Sequence, residues 1–211
     1  MGLNKFEIIM FWSEFICILF YGLFVEFGDG AKTNSTVEAD ANAATLMVNH
    51  YPMYMDIHVM VFVGFGFLMS FLKNSSWTAI GFTYLIACWS IQICILMTGF
   101  WRNVTAQYMQ KGGFEKIQLD LNYLILGDFG AAAVIISFGA ILGKCSLFQL
   151  WVLATIEMVF YTLNESIATV IFNVKDIGGS MTIHTFGAYF GIVASYFFQN
   201  EAALKDKDKK F

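Results

Sequence analysis

The sequence predicts an all-α polytopic membrane protein with six transmembrane helices, and three observations support this fold class. Of its 211 residues, 58% are hydrophobic and only 13% are charged, whereas a soluble domain is nearer half apolar and a quarter charged. A single proline stands against 18 glycines, a balance that suits long, closely packed helices. Six apolar stretches also approach the ~20 residues that a helix needs to cross a bilayer.

The six predicted spans follow one another as one partial domain over residues 1–211. They are residues 8–25, 57–72, 77–100, 121–143, 147–172 and 177–198. The second stretch is short, so we expect its helix to start near Met53, with Asp56 and His58 at its mouth. The fifth is long enough to require tilt. The first stretch is interrupted by Glu14 and is interpreted as a retained helix rather than a signal peptide.

Charge and motif content exclude several classes of function. A net charge of −4 without a basic stripe gives no indication of nucleic-acid binding. The sequence contains neither HExxH nor paired CxxC spacing, and no nucleophile–base constellation. We therefore expect no metal, no cofactor and no enzymatic activity.

The basic residues predict the orientation. With six spans both termini lie on one side, and that side holds seven lysines against five basic residues on the other. The positive-inside rule then places both termini, including the tail 199–211, in the cytoplasm, and the loop 28–49 outside. The sequons at Asn34 and Asn103 fall outside as candidate glycosylation sites, with Asn34 the better one, whereas Asn74 falls in a cytoplasmic turn.

Five ionisable residues lie within the predicted spans. Such groups are costly in a bilayer and tend to face a bundle interior or a water path. They are Glu14, Asp128, Glu157, Glu165 and His184.

The sixth stretch carries the most information. At helical spacing, Ser180, His184, Gly187 and Gly191 form one narrow stripe, which predicts a small, polar face that packs inward. Asp176 precedes this helix. Simpler interpretations stay open: Asp176 as an N-cap only, His184 as an interhelical hydrogen-bond donor, and Phe129 as an ordinary core aromatic.

Three segments resemble the Rhesus (Rh) glycoproteins of the ammonium transporter superfamily. They are "DIHVMVFVGFGFLMSFL" (56–72), "GDFGAAAVIISFGAILGK" (127–144) and "KDIGGSMTIHTFGAYFG" (175–191). The resemblance covers nearly the whole chain in order and implies the first half of the Rh fold, in a plasma-membrane protein that conducts ammonia, taken up as ammonia or ammonium, as a trimer with one pore per subunit.

The resemblance also implies roles for individual residues. Asp176 matches the aspartate that supports the outer vestibule and attracts the cation. Phe129 matches a phenylalanine that closes the vestibule. His184 matches one of the two histidines whose imidazoles face each other in the pore. The pair Asn164–Glu165 resembles the Rh branch, and with Asp128 it is a possible source of supporting polar groups.

Family members have about twice this length, in two inverted halves with the pore between them. A second pore imidazole is absent from this sequence, so the resemblance implies a fragment or truncated form. A non-conducting structural subunit, within a mixed trimer with full-length subunits, is the alternative. A carbon dioxide channel that uses the same pore is another.

Overall fold

Helices dominate the computed structural model, which describes residues 5–28, 50–71, 77–109 and 112–198. Five of the described helices are long and apolar enough to cross a membrane. They are α1 (Lys5–Phe24), α2 (His50–Ser70), α3 (Trp77–Tyr108), α4 (Leu121–Ile141) and α5 (Leu147–Ile171). A sixth apolar segment, α6, covers residues 177–197. The predicted helical membrane fold is confirmed.

The segment α6 is not one regular helix. It consists of a 3-10 turn (Ile177–Gly179), a π-helical turn (Ser180–Thr185) and an α-helix (Phe186–Phe197). The wider π-helical turn changes which side chains share a face, so regular helical spacing fails across it.

Two helices extend by seven or more residues beyond the predicted stretches. The second begins at His50, before residue 57, and the third continues past residue 100 to Tyr108. The extension of α3 is stabilised by packing against α5, since Trp101 Nε1 donates to the Val159 carbonyl at 3.1 Å. Thr105 Oγ1 also lies 3.2 Å from Ser166 Oγ. Polar contacts of this kind lie outside what an apolar window detects.

A short pair of strands was not predicted from the sequence. The strands β1 (Val25–Phe27) and β2 (Ile117–Leu119) pair in parallel, with Val25 opposite Ile117. They join the end of α1 to the segment before α4, and Asp120 then caps α4 by accepting a hydrogen bond from Tyr123 N at 2.9 Å. The all-helical prediction therefore needs this one small addition.

The helix α4 lies at the centre of the bundle and packs against α3 on one side and α6 on another. Its consecutive alanines, Ala131 to Ala133, are almost fully buried and allow close approach of the neighbouring helices. By contrast α1 buries only Cys17 and exposes large side chains such as Phe11 and Trp12. An apolar surface of this kind suits contact with lipid.

Candidate functional site

The site begins at the turn into α6, where two glycines set the path of the backbone. Gly178 and Gly179 have φ values of 77° and 66°, the left-handed region that glycine enters without steric cost. A side chain at Gly179 would in addition collide with that of Ile183. The Gly179 carbonyl points forward along the segment, toward His184.

Asp176 caps the start of the π-helical turn with both of its carboxylate oxygens. Ser180 Oγ donates to Oδ1 at 3.0 Å, while the backbone N–H groups of Met181 and Thr182 donate to Oδ2 at 3.0 and 2.8 Å. Thr182 Oγ1 donates to Oδ2 as well, at 2.9 Å. Helix starts leave such N–H groups unpaired unless a side chain accepts from them. The side chain of Asp176 therefore caps the N–H groups of Met181 and Thr182 rather than those of the turn that directly follows it. Its vestibule role stays a prediction.

The same contacts favour the ionised form of Asp176. Desolvation opposes ionisation, but the hydrogen bonds from Thr182, Ser180 and Met181 together outweigh it and hold the pKa of the carboxyl below its ordinary value of 3.8. A carboxyl with a lowered pKa in the folded state stabilises the fold above its unfolded pKa, and the effect disappears as the pH falls through the lowered value.

We therefore expect Asp176→Ala to lower the midpoint temperature of thermal unfolding at neutral pH, and to lower it by less under acidic conditions. The unfolding midpoints of the variant and of wild type are measured from neutral pH to about pH 3. The difference between them should become smaller as Asp176 is protonated in the wild-type protein. Asp176→Asn, which keeps one acceptor and never ionises, is the matched control and should lose this part of the pH dependence. A difference that stays constant over the whole range would contradict the assignment.

The imidazole of His184 is held by its own segment. Its Nδ1 lies 3.1 Å from the Gly179 carbonyl oxygen. A carbonyl has no hydrogen to donate, so Nδ1 is the donor and carries a hydrogen. In the neutral ring Nε2 is then a bare acceptor, and among the described residues no hydrogen bond reaches it. His184 thus presents a lone pair on the exposed side of an apolar span.

The predicted stripe of Ser180, His184, Gly187 and Gly191 is wrong as a single inward face. Gly187 and Gly191 are buried against α4, whereas Ser180 and His184 are exposed. A Cβ on Gly187 would lie 2.7 Å from the Ala133 carbonyl oxygen, so the glycine end of α6 forms a close helix contact. The π-helical turn separates the two ends, because one extra residue in a turn rotates all later side chains about the helix axis.

Of the other predicted residues, Phe129 and Asn164 lie in different surroundings. Phe129 is partly buried and packs at the edge of the core, beside Asp128 in the sequence. Asn164 of α5 lines an open groove together with the exposed side of α6, including Met181 and Thr185. This groove continues along the same segment that carries His184.

Asp128 and Glu165 pair with basic residues on other helices. Asp128 is 1% exposed, and its carboxylate oxygens lie 3.1 and 3.2 Å from His58 Nδ1, which joins α4 to α2. Glu165 accepts from Arg102 at 3.3 Å, and the Arg102 guanidinium also lies over the Tyr123 ring. Both carboxylates therefore connect helices, and their role as supporting residues of the site stays a prediction.

Sequence reasoning missed both pairings. The partners are separated by 70 residues in one pair and 63 in the other, so no local spacing indicates them. Their common signal was the cost of placing a charged group in an apolar span, which calls for a partner without identifying it.

The candidate glycosylation sites differ in what the structure describes. Asn103 lies within α3, where its amide donates to the Glu115 carbonyl at 2.9 Å and accepts from Glu115 N at 3.0 Å. Asn34 and the rest of the loop 28–49 after Gly28 lie outside the described residues, as does the tail 199–211.

Comparison with known proteins agrees with the resemblance of the three segments. Residues 14–210 match the model of the Ammonium Transporter Family. The Rh type B ammonium transporter of Danio rerio is 42% identical over 199 residues, which cover 93% of this chain and 41% of that protein. The Rh type C ammonium transporter of Xenopus tropicalis is 36% identical over 211 residues, covering 98% of this chain and 44% of the relative.

The chain spans about two fifths of the length of these relatives. The match nevertheless extends over nearly all of the chain, and it includes both the capped turn at Asp176 and the segment that holds His184. The family consists of membrane transporters, in agreement with the apolar helices described above. The chain is an integral membrane protein and belongs to the ammonium transporter family, as a partial member of the Rh type.

Proposed function

We propose that the complete protein conducts ammonia across the plasma membrane, taking it up as ammonia or ammonium. The observation that supports this most directly is His184, whose ring is held by Gly179 while its Nε2 stays available on the exposed side of α6. An acceptor of this kind in an apolar passage offers a hydrogen bond to an N–H group without adding a charge.

The apolar lining of the proposed pore explains why ammonium is taken up and potassium is excluded. An ammonium ion that enters an apolar pore loses its hydration, and this loss favours the neutral form, as burial does for a lysine side chain. Ammonium therefore transfers a proton to water at the pore mouth, and neutral ammonia passes His184. A potassium ion has no proton to release, so the apolar pore excludes it.

The other site residues act around this passage. The ionised Asp176 lies at the outer end of α6 and attracts the cation into the vestibule, in addition to its cap. Phe129 closes the vestibule above the pore. Asn164 contributes polar lining to the groove, and Asp128 and Glu165 hold the surrounding helices through His58 and Arg102.

A closed pore needs a second wall opposite α6. Because the chain spans about two fifths of its relatives, we propose that it corresponds to one half of a longer subunit, and that the other half supplies the facing imidazole. Three such subunits then form a trimer.

Both termini of this half lie in the cytoplasm, and Asn34 carries a glycan on the outer side of the membrane. We expect wild type to show a shift in electrophoretic mobility on treatment with an endoglycosidase. The shift should be lost in Asn34→Gln and retained in Asn103→Gln, and its persistence in Asn34→Gln would contradict this orientation.

Transport is tested with the product of the complete open reading frame, expressed in cells that lack their own ammonium transporters. We expect uptake of labelled methylammonium, and a rapid rise in internal pH after an ammonium pulse, above the level of cells with an empty vector. Uptake equal to the empty-vector level, with the protein present at the cell surface, would refute the proposed function.

A non-conducting role is the second candidate, supported by the partial coverage of the relatives. In that case the 211-residue chain reaches the plasma membrane, co-purifies with full-length Rh subunits in a mixed trimer and shows no flux of its own. Carbon dioxide conduction through the same pore is distinguished by carbon dioxide-driven acidification in the same cells. Association with full-length subunits is the result that distinguishes the non-conducting role, because half of a pore shows no flux under either proposal.

A further inference from the structure

A fully buried carboxyl group on α5 has no assigned role in the proposed passage. Glu157 is 0% exposed and lies in the core beside Met158 and Ala154. No ion pair joins it to a basic side chain among the described residues, in contrast to Glu165 on the same helix, which pairs with Arg102. Burial of an unpaired carboxylate charge is costly enough that such groups usually become neutral.

The hydrogen bonds around Ser137 show where a proton is needed. Ser137 Oγ of α4 lies 2.5 Å from Glu157 Oε1 and 2.8 Å from the Gly187 carbonyl oxygen of α6. A hydroxyl has one hydrogen to donate. The Gly187 carbonyl has no hydrogen, and neither does Glu157 when it is ionised. Ser137 Oγ would then have one hydrogen for its contacts with both Glu157 Oε1 and the Gly187 oxygen. The contact without a hydrogen would bring the lone pairs of two oxygens together, which is repulsive.

A protonated Glu157 resolves this conflict. The carboxylic acid donates to Ser137 Oγ, and Ser137 donates to the Gly187 carbonyl, so each short oxygen–oxygen contact contains one hydrogen. The remaining carboxyl oxygen, Oε2, is buried without a partner among the described groups. The free-energy cost of burying a neutral carbonyl oxygen without a hydrogen bond is far smaller than that of burying a charged carboxylate oxygen.

We infer that Glu157 is a neutral carboxylic acid that, through Ser137, ties α5 and α4 to the Gly187 carbonyl and so sets the position of α6. Gly187 is three residues after His184, and it lies at the close contact with Ala133. Glu157 is therefore a positioning residue for His184. This last step rests on the proposed function, whereas the protonation state does not.

Infrared difference spectroscopy of the purified product of the complete open reading frame tests the protonation state. At neutral pH, Glu157→Gln should remove a carboxylic-acid C=O band and no carboxylate band. Glu165→Gln is the matched control on the same helix and should remove a carboxylate band only. Loss of a carboxylate band in Glu157→Gln would overturn the inference.

A second variant tests the hydrogen bond to Ser137. Ser137→Ala leaves the acid in place without its acceptor, so the C=O band should persist and shift in frequency. An unchanged frequency would contradict the connection from Glu157 to Ser137. Glu157→Gln and Ser137→Ala both conserve the volume of the side chain closely, so the packing of the core is retained.

The positioning role is tested by conservative rescue. Glu157→Gln keeps a neutral N–H donor for Ser137 and should retain methylammonium uptake, while Glu157→Leu should reduce the maximal rate by about tenfold or more, with little change in the half-saturating concentration. Equal uptake in the two variants would refute the positioning role. If wild type itself shows no uptake, the proposed function fails, and the infrared result alone decides the state of Glu157.

Discussion

Replacing His184 with alanine should reduce methylammonium uptake by the complete protein by at least about tenfold, the largest effect expected from a single side chain in the passage. The substitution removes the Nε2 acceptor and also the Nδ1 donor to the Gly179 carbonyl. Uptake rates at the plasma membrane, normalised to surface protein, are the measurement.

The matched control for this variant is His50→Ala. His50 lies at the start of α2 and has no described contact with the groove. It should leave uptake within about twofold of wild type, as expected for a substitution away from the site. If His184→Ala also conducts at the wild-type rate, His184 has no part in the mechanism.

Replacing Gly187 with leucine should have the largest effect on stability. An added Cβ would lie 2.7 Å from the Ala133 carbonyl oxygen and 3.2 Å from Ile136 Cβ, so α6 must move away from α4. Overpacking of this kind typically costs about 1–3 kcal/mol and more when backbone atoms are the obstacle. Thermal unfolding of the purified protein in detergent should show a clearly lower midpoint.

Gly81→Leu provides the comparison, since a Cβ at Gly81 of α3 meets nothing within 4 Å. Its unfolding midpoint should stay close to that of wild type or rise slightly, because leucine favours helix over glycine. If Gly81→Leu lowered the unfolding midpoint as much as Gly187→Leu, the close contact between α4 and α6 would not be what limits stability.

The helices could be predicted because each is a continuous apolar run, and the length of a bilayer-spanning helix is nearly constant. The start of α6 was also indicated, since Asp176 directly precedes an apolar segment and is a residue that commonly caps helices. These features are local, so neighbouring residues in the sequence are enough to specify them.

The geometry of the site required tertiary information. The π-helical turn at Ser180–Thr185 has no sequence pattern of its own, and regular spacing therefore placed His184 and Gly187 on one face. The contact of Asp128 with His58 likewise depends on how α2 packs against α4. Periodicity within one helix carries no information about either arrangement.

The π-helical turn has a consequence for how this segment tolerates change. One residue corresponds to about 100° of rotation in an α-helix, so the turn sets the direction of the histidine end relative to the glycine end of α6. Gly187 and Gly191 are bound to α4 by contacts that leave no room for a larger side chain, while His184 is exposed. Deletion of Thr185 would leave the imidazole and both glycines chemically intact but rotate the imidazole by about 100° relative to the glycine end, so the spacing between His184 and Gly187 is as much a determinant of the proposed passage as the residues themselves.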